Sequence, residues 1–185
     1  DTETLVDWAL ELMPENRPLR AVDLGTGSGA IALALQSQRP TAQVFAVDAS
    51  ADALAVAQSN ARQLKLPVQF AHGSWLEPLA GQAAFDLVIS NPPYIRSDDP
   101  HLAALTHEPL SALASGADGL QDIRAIISQT PQVLKAGGWL IFEHGWDQAD
   151  DVTQLMREAG FVQVQHRRDL AGIERCTGGQ WPGKA

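Results

Sequence analysis

The chain has 185 residues, 45% of them hydrophobic and 19% charged, the length and composition of one compact domain that buries its own core. A formal net charge of −9, from 13 Lys and Arg against 22 Asp and Glu, argues against a nucleic-acid partner unless a local patch escapes the average. Cys176 is the only cysteine, so an internal disulfide is excluded and a cysteine-based zinc site is not expected. No apolar run reaches the roughly 18 residues of a membrane span, and no signal peptide opens the chain, so no membrane contact and a cytoplasmic location are expected. Asp1 stands where a Met would start a complete chain, which reads as a fragment of something longer.

The elements follow in chain order. Thr2 to Met13 has Leu5, Val6, Ala9, Leu10 and Met13 on one helical face, and Pro14 ends it. Arg20 to Leu24 is a short strand that runs into glycine-rich Gly25 to Gly29, and Ala30 to Gln38 is a helix stopped by Pro40. A second strand, Gln43 to Val47, closes on Asp48; Ser50 or Asp52 caps the next helix, which runs to about Leu64. Val68 to Ala71 is a third strand, and apolar, β-branched Phe85 to Ser90 suits the middle of a parallel sheet. A polar stretch from Ile95 to about Gly119 reads as a long functional loop. Leu120 to Lys135 reads as an amphipathic helix kinked at Pro131, and Gly138 to Glu143 as a fifth strand. A helix over Gln148 to Ala159 and a sixth strand over Phe161 to His166 follow, with Glu174 to Thr177 a shorter last strand. This alternation predicts a doubly wound, mostly parallel α/β sheet with helices on both faces, in which ligands sit beyond the carboxyl ends of the strands.

Two motifs stand at such ends. Asp23-Leu-Gly-Thr-Gly-Ser-Gly29 follows a strand and opens a helix, its glycines permitting a tight turn and close approach of a ligand to backbone. Asp48, at the end of the second strand, is placed to accept hydrogen bonds from both hydroxyls of a ribose. The loop also satisfies the dinucleotide fingerprint, so it does not by itself name the cofactor. Asp23 repels a pyrophosphate and attracts the sulfonium and ammonium of S-adenosylmethionine, which favours the methyl donor. The second motif is Asn91-Pro-Pro-Tyr94, directly after the fourth strand. The prolines fix φ and remove two N–H donors. The Asn91 amide oxygen and the Pro92 carbonyl can then both accept from one planar –NH2 group, while Tyr94 stacks on a flat substrate. Two acceptors on its hydrogens hold such a nitrogen in line with a sulfonium methyl and stabilise the positive charge that develops.

The Asp23-to-Gly29 loop, Asp48, Trp75 in the loop after the third strand and Asn91 to Tyr94 together resemble class I S-adenosylmethionine-dependent methyltransferases acting on planar nitrogen. Later segments narrow the likeness. Glu108-Pro-Leu-Ser-Ala-Leu113, Gly116-Ala-Asp-Gly-Leu120, Gly137 to Leu140 leading into Phe142-Glu-His-Gly145, and Asp169 to Arg175 resemble the release-factor glutamine methyltransferases, as does the opening Asp1-Thr-Glu. The resemblance covers the whole chain and implies a Rossmann-like catalytic domain over residues 1–185. It implies transfer of a methyl group to the side-chain amide N5 of the glutamine in the Gly-Gly-Gln motif of class I peptide-chain release factors, with S-adenosylhomocysteine left as product. By that likeness Asp23, Gly25, Thr26, Gly27, Ser28, Gly29, Asp48, Trp75 and Asn91 hold the cofactor. Asn91, Pro92, Pro93 and Tyr94 hold the glutamine, with Asn91, Pro92 and Tyr94 at the chemistry. The family's small N-terminal helical domain, which helps recognise the release factor, is absent from this sequence.

Other readings stay open at this level. An adenine or guanine amino methyltransferase on nucleic acid could use the same tetrapeptide, against the acidic charge. A nicotinamide-dependent dehydrogenase would use the glycine loop but leaves Asn91 to Tyr94 unexplained. The five histidines lack metal-ligand spacing, so no metal is expected. His144 reads as pocket rim or satisfied structural histidine, Cys176 as inert, and the chain as a monomer. Gly178-Gly-Gln180 copies the substrate motif near an expected edge strand; coincidence is the simpler reading, and self-methylation of Gln180 the alternative.

Overall fold

The computed structural model describes residues 2–105 and 107–185; Asp1, part of the opening segment of the resemblance, lies outside them. Helix α1 (Thr2–Glu11) leads to strand β1 (Arg20–Leu24), then α2 (Ala30–Gln38), β2 (Gln43–Asp48), α3 (Ala51–Leu64) and β3 (Gln69–His72). Strand β4 (Phe85–Ser90), α4 (Gln121–Gln129), β5 (Leu134–Glu143), α5 (Ala149–Glu158), β6 (Val162–Arg168) and β7 (Glu174–Gln180) complete the described elements. Seven strands form one sheet in the order β3-β2-β1-β4-β5-β7-β6. β1 to β5 pair in parallel; β7 runs antiparallel between β5 and β6. The chain reverses its direction of winding between β1 and β4, the switch point at which α/β sheets bind ligands.

Period-two alternation divides each central strand between two cores. Ala21, Ala46, Leu87, Ile89 and Ile141 face one side, with Leu5, Trp8 and Ala9 of α1 and Ile31, Ala32 and Leu35 of α2 packed over them. Val22, Val47, Val88, Leu140 and Phe142 face the other, covered by Ile123 and Ile126 of α4 and Val152 and Met156 of α5. The small residues of α2 let it sit close to α1 and the sheet. Ser50 caps α3 by accepting from the Ala53 N–H at 3.1 Å.

Three expectations are corrected. The helix predicted from Leu120 to Lys135 ends at Gln129, where Thr130 Oγ1 donates to the Ile126 carbonyl at 2.7 Å. Pro131 then sits in a 3-10 turn, Thr130–Gln132, and Leu134 and Lys135 already belong to β5. The pattern was misleading because a buried strand and a buried helix face both show Val133 and Leu134 as apolar. The last strand extends past Thr177 to Gln180, and it is interior, not at an edge. Gly178 and Gly179 are there for packing: a Cβ on Gly178 would stand 2.6 Å from Ile141 Cγ2 and 2.7 Å from Trp8 Cη2. Gln180 pairs with Trp139 while Cys176 pairs with Glu143, so Gln180 lies at the opposite end of the sheet from Asn91. That placement removes methylation of Gln180 by its own site.

Candidate active site

The glycine loop folds out of its own neighbourhood. The Gly25 and Thr26 N–H groups donate to the Val47 carbonyl at 2.9 and 3.0 Å, tying the loop to β2. Gly29 precedes α2 with φ 87°, and a Cβ there would meet Ala57 of α3 at 3.1 Å. Gly25 gives way to the ring of Trp75, whose Cζ3 would lie 3.2 Å from a Cβ at that position. Gly27 is different: with φ 56° it faces open space, where nothing within 4 Å would meet a side chain. Trp75 itself is held at φ 45°, a left-handed conformation that costs a non-glycine residue about 1–3 kcal/mol and gathers at functional sites.

Two carboxylates brace this loop. Asp48 Oδ2 accepts from the Gly27 N–H and Oδ1 from the Ser50 N–H, each at 2.9 Å. Each oxygen keeps a second lone pair, so Asp48 serves the loop without being used up. Asp23 is 1% exposed; Oδ2 accepts from Thr26 Oγ1 at 2.7 Å, and Oδ1 has no hydrogen-bond partner among the described residues. Burial pushes its carboxyl up to about 7, against the pull of Thr26 and the Ala32 backbone. A cation beside Oδ1 would satisfy the orphaned oxygen and restore an ordinary carboxylate. Ser28 contributes its carbonyl, which accepts from Asn60 Nδ2 at 2.9 Å.

The Asn91-to-Tyr94 segment leaves β4 beside that loop, and Ser90 Oγ, wholly buried, donates to the Leu24 carbonyl at 2.7 Å. Its remaining partners come from far along the chain. Asn91 Nδ2 donates to Thr2 Oγ1 at 3.5 Å, and Thr2 Oγ1 donates to Glu143 Oε2 at 3.1 Å. Gln148 Nε2 donates to the Tyr94 carbonyl at 3.0 Å while its Oε1 accepts from the Gly145 N–H at 2.8 Å, so one side chain clamps the loops after β4 and β5 together. Gly119, at φ 77°, packs directly on the Tyr94 carbonyl, where a Cβ would clash. Pro92 is buried, and Pro93 and Tyr94 are half-buried. Burial and the Glu143 charge hold the Tyr94 hydroxyl above its ordinary value. Thr2, Gly119, Glu143 and Gln148 carry no local sequence signal for this role. Thr2 lies 141 positions from Glu143 and Gln148 lies 54 from Tyr94, while Gly119 meets Tyr94 from a different loop.

The long polar stretch contains 3-10 turns at Pro100–Ala104 and Leu110–Ala112 and folds back through a parallel bridge between Ile95 and Ala114. Leu105 and Leu110 in this stretch, Trp146 after β5 and Leu170 after β6 are all strongly exposed. They occupy loops that leave the carboxyl ends of the strands, as the candidate site does. His144 is fully buried between the Gly145 carbonyl and Thr177 Oγ1, at 2.9 and 2.7 Å, a satisfied structural histidine whose pKa burial lowers. Cys176 is buried and its thiol is pushed up to about 12, away from any reactive form. Among the described residues no group of three His, Cys, Asp or Glu is gathered as a metal needs.

A glycine loop with two acids at the switch point, beside the proline-fixed Asn91-to-Tyr94 corner, fits the class of methyltransferase domains, and the comparisons show that class. The family model described as "Methyltransferase small domain" matches residues 6–165. The release factor glutamine methyltransferase of Xylella fastidiosa (strain Temecula1) is 50% identical over 99% of this chain and 67% of its own length. That of Escherichia coli (strain K12) is 45% identical over 98% of this chain and 66% of its own. The chain belongs to the release factor glutamine methyltransferase family and spans about two thirds of the length of these relatives. Among solved structures, the T. thermophilus 16S rRNA N2 methyltransferase in complex with AdoMet and guanosine superposes with a TM-score of 0.71 at 20% identity, over 96% of this chain and 42% of that one. The likeness is one of fold. The dehydrogenase reading of the glycine loop is thereby corrected: the same turn serves both classes, and the relatives are methyltransferases.

Proposed function

We propose that this domain moves a methyl group from S-adenosylmethionine to the side-chain amide N5 of the glutamine in the Gly-Gly-Gln motif of class I peptide-chain release factors. The observation that carries the reading is the pairing of an orphaned, buried Asp23 oxygen with an acceptor corner across one switch point. Asp23 suits a cationic amino-acid moiety, the open face of Gly27 suits a ligand lying on the loop, and the spare lone pairs of Asp48 suit ribose hydroxyls. Trp75 and Asn91 complete that cradle. Bound there, S-adenosylmethionine supplies an electrophilic methyl carbon on sulfur.

The chain's own residues do the rest. The Asn91 Oδ1 and Pro92 carbonyl oxygens accept the two hydrogens of the glutamine –NH2, which fixes the plane of the amide and aims its nitrogen. Pro93 keeps the corner rigid, and Tyr94 lies against the flat carboxamide. The same two acceptors stabilise the positive charge that builds on nitrogen as the N–C bond forms and the S–C bond breaks. One proton then leaves the methylated nitrogen for water, so no ionised base is required at the corner. The exposed leucines and Trp146 around the mouth offer an apolar rim for a protein substrate, and a chain of net charge −9 disfavours nucleic acid in that place. The domain acts as a monomer in the cytoplasm on this reading.

Incubation with labelled S-adenosylmethionine and a purified class I release factor, followed by mass mapping, tests it. One methyl on the glutamine of Gly-Gly-Gln is the expected result. Label on another residue, or on added RNA or DNA in preference to the factor, overturns it.

A further inference from the structure

The Asn91 carboxamide can accept from a substrate amide in only one of its two flip states, because one end of the group is an oxygen and the other an NH2 donor. What sets that state lies outside the tetrapeptide. Thr2, at the start of α1, stands between Asn91 Nδ2 at 3.5 Å and Glu143 Oε2 at 3.1 Å. Glu143 is 3% exposed and closes β5, and its neighbour Phe142 pairs with Ser90 immediately before Asn91. A hydroxyl has one hydrogen to give. An ionised Glu143 has none, so it takes the hydrogen of Thr2 and leaves only lone pairs toward Asn91. Those lone pairs are met by Nδ2, which turns Oδ1 the other way. A protonated Glu143 reverses the chain: its own O–H donates to Thr2, the Thr2 hydrogen points at Asn91, and the carboxamide turns over.

We infer that Glu143 acting through Thr2 is a positioning device for methyl transfer, fixing Asn91 with its oxygen toward the substrate amide. The inference rests on the proposed role of Asn91 as acceptor. Among the described residues, Thr2 from α1, Tyr94 after β4, and Arg175 and Cys176 from β7 face Glu143, the last paired with it in register. Burial raises the Glu143 carboxyl above its ordinary value, with Thr2, the charge of the chain's amino terminus and Arg175 drawing it part of the way back. Tyr94 and Cys176 are shifted upward and stay neutral through the same range. The polarity of the relay is therefore lost as pH falls through the raised Glu143 value.

The test uses the whole protein with a release factor as substrate and saturating S-adenosylmethionine. Thr2→Val keeps the β-branched shape and removes the hydroxyl. We expect kcat to fall about 10- to 100-fold, the scale of a misaligned reacting group. The melting temperature should stay in place, and Thr2→Ser should restore the rate. Wild type should show an acid limb in kcat against pH that both Thr2→Val and Glu143→Gln erase, since neither retains a titrating relay. A Thr2→Val kcat within twofold of wild type, or an acid limb that persists in Glu143→Gln, overturns the inference. A wild-type protein that leaves the glutamine unmodified instead overturns the reading beneath it, which separates the two failures.

Discussion

The two halves of the site are held in contrasting ways. The glycine loop takes its hydrogen bonds from Val47 and Asp48, the strand next in sequence, and from Thr26 to Asp23 within a single turn. The Asn91-to-Tyr94 corner is local in its prolines but is braced by Thr2, 89 residues away, and Gln148, 54 residues away. The hydrogen bonds of the glycine loop thus need only a βαβ unit, whereas the Asn91-to-Tyr94 corner needs α1, β5 and α5 docked on the finished sheet. Perturbations of the first half should appear in cofactor affinity, and perturbations of the second in turnover. The sharpest way to break that division is Asn91→Ala. On the proposed reading this removes one acceptor from the reacting nitrogen and should lower kcat by about 10²–10³, the cost of deleting an oxyanion-type partner, while circular dichroism and melting temperature remain those of wild type. Near-normal turnover would erase the distinction.

Asp48→Ala tests the other half. It strips the acceptor from the Gly27 and Ser50 N–H groups and, on the proposed reading, from the ribose. Charged hydrogen bonds of this kind contribute about 1.5–3 kcal/mol each, so the Kd for S-adenosylmethionine should rise at least tenfold by calorimetry. Turnover at saturating cofactor should change much less. A Kd that does not move would sever Asp48 from the cradle.

Gly119→Ala strikes the brace on the second half while leaving every residue of both motifs unsubstituted. The added Cβ runs into the Tyr94 carbonyl, and φ 77° is uphill for alanine, so a loss of about 1–3 kcal/mol of stability is expected from thermal or urea unfolding. The comparison predicts that the surviving folded protein binds cofactor normally and turns over slowly. A variant with weakened cofactor binding would show that the two halves are mechanically one.

The same asymmetry governs what could be read from residues alone. Strand–glycine–helix order and an acid at the end of the next strand are local patterns, so the glycine loop, the sheet's parallel half and the place of the tetrapeptide after β4 are legible in sequence. Gln148, Gly119 and Glu143 are not, because nothing near them in sequence reveals that Tyr94 or Thr2 lies opposite. Pro131 misled for a related reason: a proline within an apolar run reads as a kink, and only the docking of Leu134 beside Phe85 in the sheet shows that the helix has already stopped. For Gly178-Gly-Gln180 the simpler reading, coincidence, fits the packing: Gly178 makes room for Trp8 and Ile141, and Gly179 for Val164, Met156 and Phe161.

Asp23 provides the gentlest probe of the cradle, since it needs only a change of buffer. Its carboxyl sits at about 7 in the folded chain against 3.8 ordinarily, because burial penalises the charge. A raised carboxyl binds its proton more tightly folded than unfolded, so its contribution to stability is fully present below about pH 4 and is lost as pH rises to about 7. Asp23→Asn should flatten that slope in urea unfolding of the ligand-free protein. The sign reverses for a cationic ligand, which draws the carboxyl back toward its ionised form and so binds best above pH 7. The Kd for S-adenosylmethionine should therefore weaken by up to about tenfold for each pH unit below 7, the limit for one coupled proton. In Asp23→Asn the affinity should be lower and independent of pH across the same interval. A wild-type Kd that stays level from pH 5.5 to 8 would mean that the orphaned oxygen does not meet the cation.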